Sequence, residues 1–228
     1  DWLSLRSILS DGDKRRLPVV LDLRGNTGGD DEPAFQLAES LLGQRPQPFF
    51  NQVTHFRTGA AWRLKANLAY FKHLMSKRSG GGPSSDDLAE YERLEATAAE
   101  AHQNERERIE IVPIERSAKD SNYVSNRSVL VLIDSGCASS CETAVLALRG
   151  HSAVRLYGER TAGLIAFGNL GLLVLPESDI GIALPTAHFA TRDGESYERV
   201  GIPPDVYVEP GDDALDVAVH DLTALLSH

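Results

Sequence analysis

The sequence predicts an α/β domain organised around a parallel sheet and carrying a helical-hairpin insertion, and three observations support that class. Two runs, LPVVLDL (17–23) and SVLVLID (128–134), are apolar almost without alternation, the pattern of strands covered on both faces. Each gives way to a Gly- or Ser-rich turn and then to apolar residues at helical spacing, in RGNTGGDDEP and in SGCASSCET, which is the strand-turn-helix order of a parallel sheet. Between them, from Trp62 to Arg108, the periodicity becomes helical on both sides of a flexible SGGGPSS break at 79–85.

Taken in order, Trp2, Leu3, Leu5, Ile8 and Leu9 suit one face of a short helix, and 17–23 reads as the first buried strand. A helix follows near Pro33 to Leu42, with proline at its start and Gly43 at its stop. Phe49 to Thr58 reads as a strand, and residues 59–111 as the helical insertion, with Leu64, Leu68, Phe71 and Met75 on one helix and a Glu- and Ala-rich helix from Asp86 to Glu107. Two amphipathic helices joined by glycines suit a mobile cap or a docking surface. The alternation then resumes with a strand at 128–134, a helix at 141–149 and a strand at 154–159. LGLLVLP and IGIALPTAHFAT are β-rich, and Ala214 to Leu226 forms the last helix.

A chain of 228 residues with 42% hydrophobic and 25% charged side chains can bury one sizeable core. Its formal charge of -10 argues against nucleic acid, which needs a concentrated basic face. No apolar run reaches the length of a membrane-spanning helix. The two cysteines, Cys137 and Cys141, are four apart with no further Cys or His cluster to complete a zinc set. They read as packing residues, against a local redox or metal role.

Three places carry chemistry. Gly28 and Gly29 follow a buried strand, where open α/β sheets place ligands and free backbone N–H groups can hold an anion. The corner SGCASSCET sets Ser139 and Ser140 at a helix start, where unpaired amides and the helix dipole favour negative charge. Glu198 precedes the turn GIPPD. Each alone reads as an ordinary turn or a solvated acid.

Together, and in this order, they resemble the family of carboxyl-terminal processing (tail-specific) proteases and the tricorn protease core, which also includes retinoid-binding repeats of the photoreceptor matrix. LDLRGNTGG matches the family's D-x-R-x-N-x-G-G, GCASSCE its G-S-A-S-A-S-E, GERTAG its G-E-x-T-x-G, and LPTAHFATRDGESYERVGIPPD its closing P-T-x-x-x-x-T and E-x-x-G-[IV]-x-P-D. The resemblance covers about 17–42 and 128–208. It implies a ClpP/crotonase-like spiral of strands flanked by helices, spanning 1–228 without its first strand, and a serine endopeptidase cutting polypeptides through an acyl-enzyme, with neither metal nor cofactor. Ser139 is then the nucleophile, and the Ser140 amide with Gly28 or Gly29 forms the oxyanion hole. The resemblance favours an extracytoplasmic setting and leaves the oligomeric state open.

Tail-specific members take their base from a Lys whose place is Leu164 here, and no Lys follows Lys119. The tricorn-like branch uses a His on the first strand and a Glu, matched by Glu198. The base is therefore a His upstream of Asp1, or His188, the one histidine near a matched motif, or is lacking. Without a base the same fold serves as a catalytically inactive ligand-binding or scaffolding domain. An acyl-CoA enzyme of the related crotonase architecture is a third reading, weakened by the serine at the nucleophile place.

Overall fold

A computed structural model describes residues 17–42, 50–56, 108–111, 127–174, 180–191 and 194–226, with single positions between 89 and 100 and at 178. In chain order the elements are β1 (Val19–Asp22), α1 (Glu32–Leu42), β2 (Phe50–Phe56), β3 (Arg108–Ile111), β4 (Val129–Ile133), α2 (Ser140–Leu148), β5 (Val154–Gly158), β6 (Phe167–Val174), β7 (Gly181–Thr191), β8 (Val206–Tyr207) and α3 (Ala214–Leu226). They fall into two compact units, one of Asp1–Phe49, Ile114–Ile165 and Glu195–His228, the other of Phe50–Pro113 and Ala166–Gly194.

The first unit holds a parallel sheet in the order β1-β4-β5-β8. Its central strand β4 is buried at every position, which is what a run of Val, Leu and Ile without polar alternation requires. Alternate β4 residues face opposite sides, so Leu130 and Leu132 cluster with Tyr157, Val208, Ala214 and Ala218 beneath α3. On α1, Ala38, Leu41 and Leu42 are buried, and α1 packs against the almost wholly buried α2. Asp205, from the GIPPD turn, seats β8: its carboxylate accepts the Leu156 amide at 2.8 Å while its own amide donates to Leu156 O at 2.9 Å.

The expectation that 17–23 is covered on both faces is corrected. Among the described residues β1 is the sheet's edge, with Leu17 44% and Val20 41% exposed. An apolar run reports residue type and not the number of neighbouring strands, so an edge and a centre read alike.

The second unit is an antiparallel sheet in the order β3-β2-β7-β6. The strand expected near Phe49 to Thr58 pairs there, with β3 and β7, and not with the parallel sheet. The end of the expected helical insertion at 59–111 is also corrected: Arg108–Ile111 is strand β3, whose sequence RIEI alternates with period two. Of the Asp86 to Glu107 helix, the described positions Ala89, Glu92, Arg93, Ala96, Ala99 and Glu100 are helical. The helix expected over Leu64 to Met75, and the one expected near Trp2 to Leu9, lie outside the described residues.

Candidate active site

Because β1 and β4 are adjacent and parallel, the loops leaving their C-terminal ends emerge side by side. Asp134 Oδ1 accepts the amides of Gly25 at 2.9 Å and Gly136 at 3.0 Å, and Ala138 N–H donates to Asn26 O at 3.0 Å. Ser140 Oγ donates to Gly29 O at 2.8 Å, closing two loops that are 111 residues apart in sequence.

Ser139 sits at the turn into α2 with φ 56 and ψ -122, and it is exposed. A non-glycine residue in this region carries roughly 1–3 kcal/mol of strain and persists only where its surroundings fix it. Its neighbours do so. The Ser139 amide donates to Glu142 Oε2 at 3.1 Å, and Thr143 N–H donates to Ser139 O at 3.1 Å. Gly28, at φ +98, runs so close that a Cβ there would lie 2.8 Å from Ser139 Cβ and 2.9 Å from Ser140 N. Only glycine allows that approach.

Gly28 or Gly29 was expected as the second oxyanion donor, and the two amides differ in this structure. The Gly28 amide donates to Asn26 Oδ1 at 3.0 Å, and the missing Cβ of Gly28 is what lets the loop approach the corner. Among the described residues the Gly29 and Ser140 amides have no acceptor, the latter because the first amide of a helix has no partner within it. Two unclaimed amides beside an exposed hydroxyl can receive a developing negative charge.

Cys137 and Cys141, expected only to pack, form a disulfide with Cα atoms 5.4 Å apart. Four residues apart they read as one helix face, but Cys137 precedes α2 and the positive φ of Ser139 turns the chain back on itself. Closing so short a ring stabilises the fold by about 2 kcal/mol in the chain-entropy account.

Sequence reasoning gave Glu142 no role, yet it organises the site. Fully buried, its carboxylate accepts Thr161 Oγ1 at 2.6 Å and Gly163 N at 2.9 Å on Oε1, and Leu164 N at 2.8 Å with the Ser139 amide on Oε2. Thr161 Oγ1 in turn accepts the Ile202 amide at 2.7 Å, and Arg199 N–H donates to Gly163 O at 2.7 Å. The loop bearing Leu164 and the turn that follows Glu198 are thus tied to the serine corner through one carboxylate. The signal was in the spacing, since Glu three residues after Ser is a capping pair.

Asp22, Arg24 and Asp213 brace the loop from outside: Arg24 Nε and Nη2 reach Asp22 at 2.9 and 2.7 Å, and Nη1 reaches Asp213 at 2.9 Å. The Arg24 guanidinium holds the Asp22 carboxyl below its ordinary value. Asp31 goes the other way, pushed up by burial, while the Ser140 and Thr143 hydroxyls offset part of the effect. Its Oδ1 is sealed from solvent without a hydrogen-bond partner. Folding therefore takes up a proton at Asp31, so its contribution to stability falls as pH rises from the unfolded value, near 4, through the raised folded one. Asp31→Asn should lose less stability than the wild type between pH 4 and 7 in urea titrations; parallel curves would contradict this.

Glu198 is part-buried in the first unit. His188 lies on β7 in the second unit, in register with Thr54 and Phe167, its ring 4.9 Å from that of Phe167. The described residues include no lysine, and none of the histidines described in the first unit is hydrogen bonded to Ser139.

A mixed α/β domain whose parallel sheet ends in a serine corner facing a glycine loop is the class that fold and site define. The sequence profile of peptidase family S41 matches residues 4–208, a span that includes the segment between β2 and β3, and the chain belongs to that family. It is 29% identical over 92 residues to the carboxy-terminal-processing protease of Bartonella bacilliformis, covering 40% of this chain and 20% of the relative. Mature CPAF, solved in complex with lactacystin, superposes with a TM-score of 0.63 at 16% identity, over 99% of this chain and 45% of that one. The photosystem II D1 C-terminal processing protease gives 0.48 at 18% identity, over 91% and 39%. The chain thus spans a fifth of the curated relative and under half of either solved chain.

Proposed function

We propose that the chain is the catalytic part of a serine endopeptidase of the ClpP/crotonase architecture, in which Ser139 attacks the peptide carbonyl and forms an acyl-enzyme. The observation that carries this reading is the corner itself: an exposed serine hydroxyl, held at positive φ, beside two amides that have no other acceptor among the described residues. Charge developing on the carbonyl oxygen is received by the amides of Ser140 and Gly29, without metal or cofactor. The serine's proton passes to a histidine, which Glu198 orients.

Treating the full-length folded protein with a fluorophosphonate tests the reading. Ser128 to Arg149 has no internal Lys or Arg, so one tryptic peptide reports on the corner, and the label is expected there on Ser139. Labelling that survives His188→Ala places the base elsewhere in the protein. A folded protein that does not label, or one that labels equally without Ser139, would return the chain to the non-catalytic binding reading.

A further inference from the structure

The sequence has two cysteines, and they close a ring around the serine corner: Cys137, Ala138, Ser139, Ser140 and Cys141. Both are buried, at 0% and 1% exposure, whereas Ser139 between them is exposed. The far sides of the ring are anchored. Cys137 O accepts the Ala162 amide at 2.9 Å, Cys141 begins the buried run of α2, and Ala138 N–H is held by Asn26 O. Resting on the nucleophile assignment above, we infer that the Cys137–Cys141 disulfide is a redox site for a dithiol reductant, and that its state sets the reactivity of Ser139.

The physical reason is packing. A covalent S–S bond holds two sulfurs far closer than two thiols can approach, and close-packed surroundings leave no void to absorb the difference. Reduction therefore pushes Cys137 and Cys141 apart, and the displacement goes to the side of the ring nearest solvent, the exposed Ser139 and the half-buried Ser140, where it disturbs their close contacts with Gly28 and Gly29. Those two carry the hydroxyl and one amide of the site. A shift of about 1 Å in a reacting group commonly costs on the order of 100-fold in rate. Oxidised, the ring also supplies one of the constraints that keep Ser139 at φ 56.

The exchange balances without further reactants. Both sulfurs are buried in the closed corner, so exchange requires local opening of the ring; one thiolate of the dithiol then attacks Cys137 Sγ, the S–S bond breaks, and its electron pair leaves on Cys141 Sγ. Cys141 lies in the first turn of α2, where the helix N-terminus stabilises a thiolate. The second thiol of the reductant then attacks the mixed disulfide, releasing Cys137 as a thiol and the reductant as its cyclic disulfide, with two electrons and two protons transferred.

The test poises the full-length protein with dithiothreitol or its oxidised form. Iodoacetamide trapping on the Ser128 to Arg149 peptide reads the thiol state, and the fluorophosphonate labelling rate at Ser139 is measured well below the thermal midpoint. The reduced protein is expected to label at least tenfold, and on the order of 100-fold, more slowly, with an unchanged far-UV spectrum and recovery on reoxidation. The double variant C137S/C141S is expected to label at the slow rate whatever the dithiothreitol. Equal rates in the two states overturn the inference, as does a disulfide that stays unreduced by dithiothreitol in the folded protein, or a loss that follows unfolding or is not restored by oxidation. If the double variant does not fold, the wild-type titration decides alone. A Ser139→Ala control that labels like the wild type would instead overturn the nucleophile reading, so the two failures are distinguishable.

Discussion

Ser139→Ala should lower the turnover of an unstructured protein substrate by on the order of 10^4- to 10^6-fold while leaving the fold standing. Removal of a nucleophile that acts as a unit with its base abolishes nearly all of what the unit supplies, and the remainder comes from binding and the oxyanion hole. Stability should hardly change. Ser139 is exposed, its amide bond to Glu142 and its carbonyl bond from Thr143 belong to the backbone, and alanine carries the same positive-φ strain as serine. A shift of about 0.5 kcal/mol or less in urea unfolding is therefore expected alongside the kinetic loss. A folded variant that cuts at the wild-type rate would remove Ser139 from the chemistry, and one that fails to fold would mean that the hydroxyl holds the corner together.

What the sequence made legible was the part written in local pattern. Strand β4, the turn into α2 and the helix Ala214–Leu226 follow from apolar periodicity and small-residue punctuation, and all three stand where that pattern put them. What it could not show depends on which strands become neighbours. Leu17 and Val20 belong to a run as apolar as β4, yet among the described residues β1 is the edge. Phe50–Phe56 and Arg108–Ile111 flank the middle segment and pair with each other across it, a register that only the assembled sheet reveals. At the site the residue types were legible and their partners were not. Gly28 and Gly29 are indistinguishable in sequence, but the Asn26 side chain claims one amide and leaves the other. The cysteine pair looked like a helix face because nothing in its spacing announces the positive φ at Ser139 that folds the ring shut.

Glu142→Gln should be the most damaging conservative change in the domain, with a loss of about 2 to 4 kcal/mol in stability and at least tenfold slower labelling of Ser139. The substitution keeps the side chain's volume, so no cavity enters the comparison. What changes is donor and acceptor character. Each carboxylate oxygen accepts two donors, Thr161 and Gly163 on one and Ser139 and Leu164 on the other, and a glutamine presents only one oxygen. With its NH2 toward Ser139 and Leu164, it faces two backbone amides that cannot reverse. With its NH2 toward Thr161, the hydroxyl can rotate to accept, but the Gly163 amide is stranded. Either orientation leaves at least one backbone N–H in the site without an acceptor, at about 1–3 kcal/mol for each such group. Urea unfolding gives the stability difference and fluorophosphonate kinetics the displacement of the corner. Since the same carboxylate fixes the Ser139 amide and the 161–164 loop, the two losses should appear together. A variant of wild-type stability and wild-type labelling would show that Glu142 only fills space.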